Sequence, residues 1–211
     1  MIEEEEPQDF ELTEVSESSD RVRKIAVGGI LASISVAVAP TIGFIARVAG
    51  WGIAFFDHVS IFWMISFLIG GPLVGSISLF AGGIALFPFD PFAPFGPIFK
   101  IIATLPMMLV PWYGVRRLKS EDNGTEISIP GGETLSRPRF YATLMFLGLL
   151  LRLALMIPIN VAYLALVAPA FSIEMVINFG IILNISQSLW DALIPFIIVY
   201  PTGVFKHFKM W

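Results

Sequence analysis

The sequence predicts an all-α integral membrane protein built as a six-transmembrane-helix bundle. Three observations carry this prediction. Of the 211 residues 56% are hydrophobic, and the mean hydropathy is +0.80. A soluble domain has about 45–50% apolar residues even with glycine counted, and it could not cover the excess with polar surface. Second, six apolar segments come close to the length a spanning helix needs, about 17–25 residues. Third, the basic residues segregate to one side of a six-span arrangement. The length fits one domain. There is no cysteine, which excludes a disulfide framework, a thiolate nucleophile and a thiolate metal site.

Taken in order, residues 1–20 come first. Nine of the chain's seventeen acids lie within 3–20, in "EEEEPQDFELTEVSESSD". Few large apolar residues interrupt them, so this stretch predicts a disordered acidic cytoplasmic tail. It is neither a signal peptide, which begins positive, nor a nucleic-acid-binding arm. Residues 21–211 form the transmembrane domain. Its apolar segments are 25–46, 52–69, 72–87, 97–115, 140–168 and 175–205. Only Gly70 and Gly71 separate the second from the third, which predicts a tight antiparallel hairpin. The last two exceed a bilayer thickness and should tilt, kink or protrude, with Pro158 and Pro195 as kink sites. The loop 119–138, "KSEDNGTEISIPGGETLSRP", reads as a polar linker.

Orientation follows from the cations. Arg21, Arg23 and Lys24 precede the first segment. Arg116, Arg117, Lys119, Arg137 and Arg139 lie between the fourth and fifth, and Lys206 and Lys209 follow the sixth. With six spans these ten share one side, leaving Arg47 and Lys100 on the other and Arg152 within a span. Both termini are therefore expected in the cytoplasm of a multi-pass cell-membrane protein.

Glycine and proline are poor helix residues in water, yet the hairpin is rich in them. In lipid, small residues let helix backbones approach and gain van der Waals contact. Gly71, Gly75, Ser78 and Gly82 share one face of the third segment. Gly28, Ala32, Ser35 and Ala39 make a similar seam on the first, with Gly29, Ser33 and Ala37 in a row beside it. These seams serve either packing within the bundle or contact with a partner membrane protein. Gly28, Ala32, Ser33 and Ala37 are the partner-contact candidates.

The small-residue first helix, the "DHVSIFWMISFLIGGPLVGSISLFAGG" hairpin and the "MIPINVAYLALVAP" segment resemble the substrate-binding S component of energy-coupling factor transporters. The resemblance covers roughly residues 22–209. It is nearest to the riboflavin-type branch, mainly through "MIPIN", which ends at Asn160. It implies six helices and a vitamin or similar nutrient bound on the outer side. It also implies docking on a transmembrane T component and two ATPase subunits through the small residues of helix one. The riboflavin-type pattern places a lysine just after an asparagine in helix six. This chain reads "LNISQSLWD" there, with Gln187 at about that place.

Polar residues inside a span are costly and usually face a bundle interior or a cavity. Arg152, Met156, Asn160 and Tyr163 share a face of the fifth segment, and Asn184, Gln187, Ser188 and Asp191 share one of the sixth. At about 1.5 Å of rise per residue, Arg152 and Asp191 reach matching depths and form a structural ion pair. Asn160, Tyr163, Asn178 and Asn184 lie nearer the outside. The substrate-binding candidates are Asn160, Tyr163, Asn184 and Gln187, joined by Asp57 and His58 where the second segment opens. The outer stretch "FPFDPFAPFGP" repeats proline and phenylalanine every three residues, as polyproline II would. This predicts either a lid that carries Phe92 or a stiff connector. Trp51, Trp63, Trp112 and Trp190 are candidates to stack on a planar ligand, although Trp51 and Trp112 read better as interface anchors.

No P-loop, H-E-x-x-H or G-x-S-x-G motif is present, so no ATP site, zinc site or nucleophile elbow is expected. No catalytic residue, cofactor, metal or nucleic acid is assigned. The expected function is substrate capture for ATP-driven uptake of a vitamin or similar small nutrient, riboflavin being the one considered. The alternatives are a ligand-free scaffold or assembly subunit and a small self-contained channel or carrier.

Overall fold

The computed structural model describes residues 17–45, 56–121, 131–167, 172–208 and 210–211. The stretch 1–16, Arg47, Trp51, the middle of the 119–138 loop and Lys209 lie outside the described residues. The elements are α1 Glu17–Ile45, α2 His58–Ala85, α3 Phe95–Glu121, α4 Gly131–Leu135, α5 Pro138–Val167, α6 Ile173–Val199 and α7 Val204–Phe208. Five of these helices, α1, α2, α3, α5 and α6, are long and apolar enough to cross a membrane. Leucine and isoleucine on the outer faces of α5 and α6, such as Leu147, Leu150, Ile182 and Leu189, are exposed. A continuous apolar surface of this kind is what a lipid solvent requires.

Helix α2 is not straight. Gly71 has φ +76° and ψ −166° inside it. A Cβ built on Gly75 would lie 2.8 Å from Phe67 Cβ, and one on Gly82 would lie 2.5 Å from Trp63 Nε1. A straight helix would hold those pairs about 12 Å and about 28 Å apart. The chain therefore reverses at Gly71, into antiparallel arms 58–70 and 72–85. Glycine takes the positive φ without a Cβ penalty, and Pro72 starts the second arm, where a missing N–H costs nothing. The arms meet through Gly75 and Gly82, so the glycine face of the second arm is an internal packing surface.

The hairpin forms the centre of the bundle, touching α1, α3, α6, α4 and α7. Its first arm buries Val59, Trp63, Met64, Phe67 and Leu68. Trp63 Nε1 donates to Ser35 Oγ at 3.1 Å, tying that arm to α1.

Several expectations need correction. Helix α1 begins at Glu17, so the last residues of the predicted acidic tail are helical, and Asp20 pairs with Lys24 at 2.7 Å. The loop after α3 is more than a linker. Gly131, Gly132, Thr134 and Leu135 of α4 are buried, and Tyr200 Oη donates to Gly132 O at 2.9 Å. A Cβ on Gly131 or Gly71 would strike the Trp211 ring, so α4, the hairpin turn and the chain end pack together. The sixth apolar segment is two helices. Pro201 and Gly203, with φ +75°, stop α6 and turn the chain into α7.

The seam on α1 also divides. Gly28, Ala32 and Ser35 are buried against the hairpin, and a Cβ on Gly28 would sit 3.0 Å from Ile77 Cβ. Gly28 and Ala32 are thus internal packing residues rather than partner contacts. Ser33 and Ala37 are exposed, and a Cβ on Gly29 would meet nothing within 4 Å.

Candidate functional site

A cavity of about 480 Å³ lies at the end of the bundle where α5 finishes and α6 begins. Helix α3 forms one wall through Phe95, Phe99 and Lys100. Helices α5 and α6 form the others, and Asp90 and Phe92 of the 86–94 turns reach in from the rim. Helices α3 and α6 face each other across it, with α5 packed against both walls.

Two ion pairs and the amides around them make the floor. Arg152 is 2% exposed and Asp191 0%. Arg152 Nη1 donates to Asp191 Oδ2 at 2.8 Å, Nε to Asn184 Oδ1 at 2.9 Å and Nη2 to Gln187 Oε1 at 2.6 Å. Asn184 Nδ2 donates in turn to Gly180 O at 2.8 Å. On the far side, Ser60 Oγ reaches Asp191 Oδ1 at 2.5 Å and Asp57 O at 2.9 Å. Asp57 caps the first arm of α2 through Val59 N at 3.2 Å, and its other carboxylate oxygen meets Lys100 Nζ at 2.8 Å. Each carboxylate has its own cation, Lys100 for Asp57 and Arg152 for Asp191, so no buried charge among the described residues is left unpaired. Breaking a buried pair by removing one partner costs about 3–5 kcal/mol.

The expected Arg152–Asp191 pair is present. The expected separation of a rim from that pair holds only for part of the set. Asn160, Tyr163 and Phe92 line the cavity. Asn184 and Gln187 also border it, but their carbonyl oxygens are committed to Arg152, so they belong to the floor. Both lie within a turn or two of Asp191 on the same face, and a guanidinium presents five N–H donors over that span. Asp57 is at floor level and buried, not at the outer surface. His58 does not line the cavity. It is buried, and neither ring nitrogen has a hydrogen-bond partner among the described residues. Asn178 is exposed on α6.

Sequence reasoning missed Ser60 and Lys100. Their depth depends on where the first arm of α2 starts and on α3 beginning at Phe95, and neither is visible from composition.

The aromatic wall differs from the expected one. The stretch 86–94 is a run of hydrogen-bonded turns, with Phe89 N donating to Leu86 O and Ala93 N to Asp90 O, while Asp90 Oδ1 accepts from Phe92 N at 2.8 Å. Polyproline II has no internal hydrogen bonds, so the three-residue repeat does not form that helix. Phe92, Phe95 and Phe99 instead line the cavity at helical spacing. Phe95 and Phe99 close around Tyr163, with ring centroids 5.0 and 5.1 Å away. Trp63, Trp112 and Trp190 do not line the cavity. Trp63 is in the core, Trp112 lies toward the opposite end, and Trp190 meets Phe56 edge-on.

The arrangement is a cup: an aromatic and apolar wall, a few amide and hydroxyl groups, and a charge-compensated floor. Below it the core residues Trp63, Met64, Met107 and Met108 fill the bundle. No protein-family model, no curated protein and no solved structure matches this chain.

Proposed function

We propose that this protein is a membrane-embedded substrate-capture subunit, which binds a small planar nutrient in the 480 Å³ cavity. The cavity itself carries the reading. Small-molecule sites are typically about 300–1,000 Å³, mostly apolar, with a few placed polar groups, and this one has an aromatic wall and a floor without orphan charge. Such a floor suits a neutral or weakly charged ligand, since the Arg152 charge is already matched by Asp191 and its three nitrogens each donate to the floor. A vitamin of the riboflavin kind is the first candidate.

In this reading the chain has six crossings, the arms of α2 counting as two of about 20 Å each by helical rise. The end where Lys24, Arg116 and Arg137 gather is cytoplasmic, both termini lie there, and the cavity opens outward. The chain lacks a nucleotide-binding motif, so uptake is driven by partners, a T component and two ATPase subunits. The row on α1 formed by the half-buried Gly29 and the exposed Ser33 and Ala37 offers them a close-approach surface.

The deciding experiment is native mass spectrometry of gently purified protein, with riboflavin titration as the direct probe. One bound small molecule per chain, lost in Tyr163→Ala, supports the proposal. Absence of any retained molecule, with no riboflavin binding, would favour the ligand-free scaffold.

A further inference from the structure

The end of the bundle opposite the ligand cavity holds a second cleft, of about 350 Å³. It opens where α1, the turn of α2, the last turns of α3 and the residues after α7 converge. Lys24, Pro72, Leu73, Trp112, Arg116 and Trp211 line it. Two cations from different helices thus face one hollow whose remaining walls are apolar or aromatic.

Neither cation is firmly engaged. Arg116 makes no hydrogen bond or ion pair with a described residue. Among the described residues Lys24 pairs with Asp20, four residues earlier, the two side chains being 23% and 42% exposed. Exposed pairs of this kind contribute little, so the ammonium is free to turn into the cleft. The Trp211 ring is held in place, because its Nε1 donates to Leu68 O at 3.1 Å. From the cleft the surface runs out over Leu73, which is 46% exposed on the lipid-facing side of the hairpin.

We infer that this cleft binds the headgroup phosphate of an anionic phospholipid. Lys24 and Arg116 hold the phosphate, the indoles of Trp112 and Trp211 flank the glycerol region, and the acyl chains leave over Leu73. Basic pockets between helices at the positively charged end of a membrane protein are suited to such headgroups. A soluble anion would gain nothing from the apolar exit. The inference rests on the membrane-bundle reading but not on the identity of any nutrient.

The test uses the full chain in neutral detergent, titrated with phosphatidylglycerol, phosphatidylcholine or glycerol 3-phosphate under native mass spectrometry. The expected result is one retained phosphatidylglycerol and no retained phosphatidylcholine. Lys24→Gln and Arg116→Gln should each weaken binding about fivefold, and the double variant about 25-fold. Arg139→Gln, at the same end but outside the cleft, should leave binding unchanged, and matching thermal melts establish that all variants are folded. Equal retention of both lipids, or unchanged binding in the double variant, overturns the proposal. So does glycerol 3-phosphate binding as tightly as the lipid, which would mark a soluble-phosphate site. Displacement of the lipid by an equal concentration of polyglutamate would assign the cleft to an acidic protein segment and overturn it too.

Discussion

Arg152 is the residue on which the site turns. Its guanidinium gathers Asp191, Asn184 and Gln187 from three successive turns of α6, and Ser60 extends the chain to Asp57 and Lys100. Arg152→Met and Asp191→Leu should each lower stability by about 3–5 kcal/mol, because each leaves a buried charge without its partner. The double variant should recover much of that loss, which thermal unfolding of all four proteins will measure; additive losses would remove the pair from the account. The two asparagines should separate. Asn184→Ala deprives a buried guanidinium of an acceptor and should cost about 1–3 kcal/mol of stability. Asn160→Ala borders the cavity, so it should weaken ligand binding by roughly five- to 150-fold with little change in stability. Equal effects on both readouts in both variants would merge rim and floor. The pair was legible from sequence because two opposite charges in apolar segments, at matching helical depth, have one cheap arrangement. The division of the amides was not. A shared helix face says that Asn184 and Gln187 point inward, but not that Arg152 reaches across to claim them.

At the scale of the elements, the hairpin and the α1 seam decide the packing. The reversal at Gly71 was legible because paired glycines before a proline, between two apolar runs, leave little else possible. The end of α6 was harder to see. The apolar run continues through Phe205, and only Pro201 and Gly203 mark the stop. Helix α4 was invisible, since five residues in a polar loop give no periodicity. The two rows on α1 differ by a single residue in register, so sequence could not say which faced inward. The structure separates them, and substitution tests the separation. Gly28→Leu adds a side chain where a Cβ alone already approaches Val74 O to 3.1 Å. It should destabilise by about 1–3 kcal/mol as overpacking does, while Gly29→Leu, with open space around it, should melt like the parent. Ala32→Trp should likewise fail through folding. Ala37→Trp should leave folding and ligand binding intact and abolish co-purification with a membrane partner. Retained co-purification would move the partner surface off α1.

For the whole molecule, the even number of crossings in the proposed membrane arrangement rests on one backbone feature. If α2 ran straight, five helices would place the N-terminal cations and α4 on opposite faces of the membrane. Because it folds back at Gly71, Lys24 and Arg116 line one cleft, and Trp211 stands beside Gly71 and Gly131. The segregation of charge visible in the sequence and the convergence of these ends in space have the same cause. The chain has no cysteine, so single cysteines introduced into intact cells report sidedness without background. Arg21→Cys, Glu133→Cys and Thr202→Cys should resist a membrane-impermeant maleimide until the cells are opened. Phe89→Cys and Glu174→Cys, flanking the cavity mouth, should react from outside. Separation of Arg21 from Glu133 would restore the five-crossing arrangement and dissolve the hairpin as a membrane feature. The expected grouping with the sides exchanged would keep the fold but turn the cavity toward the cytoplasm, which would end the uptake reading. Only the expected pattern puts an aromatic cup at the outer surface and the basic, indole-lined end at the inner leaflet.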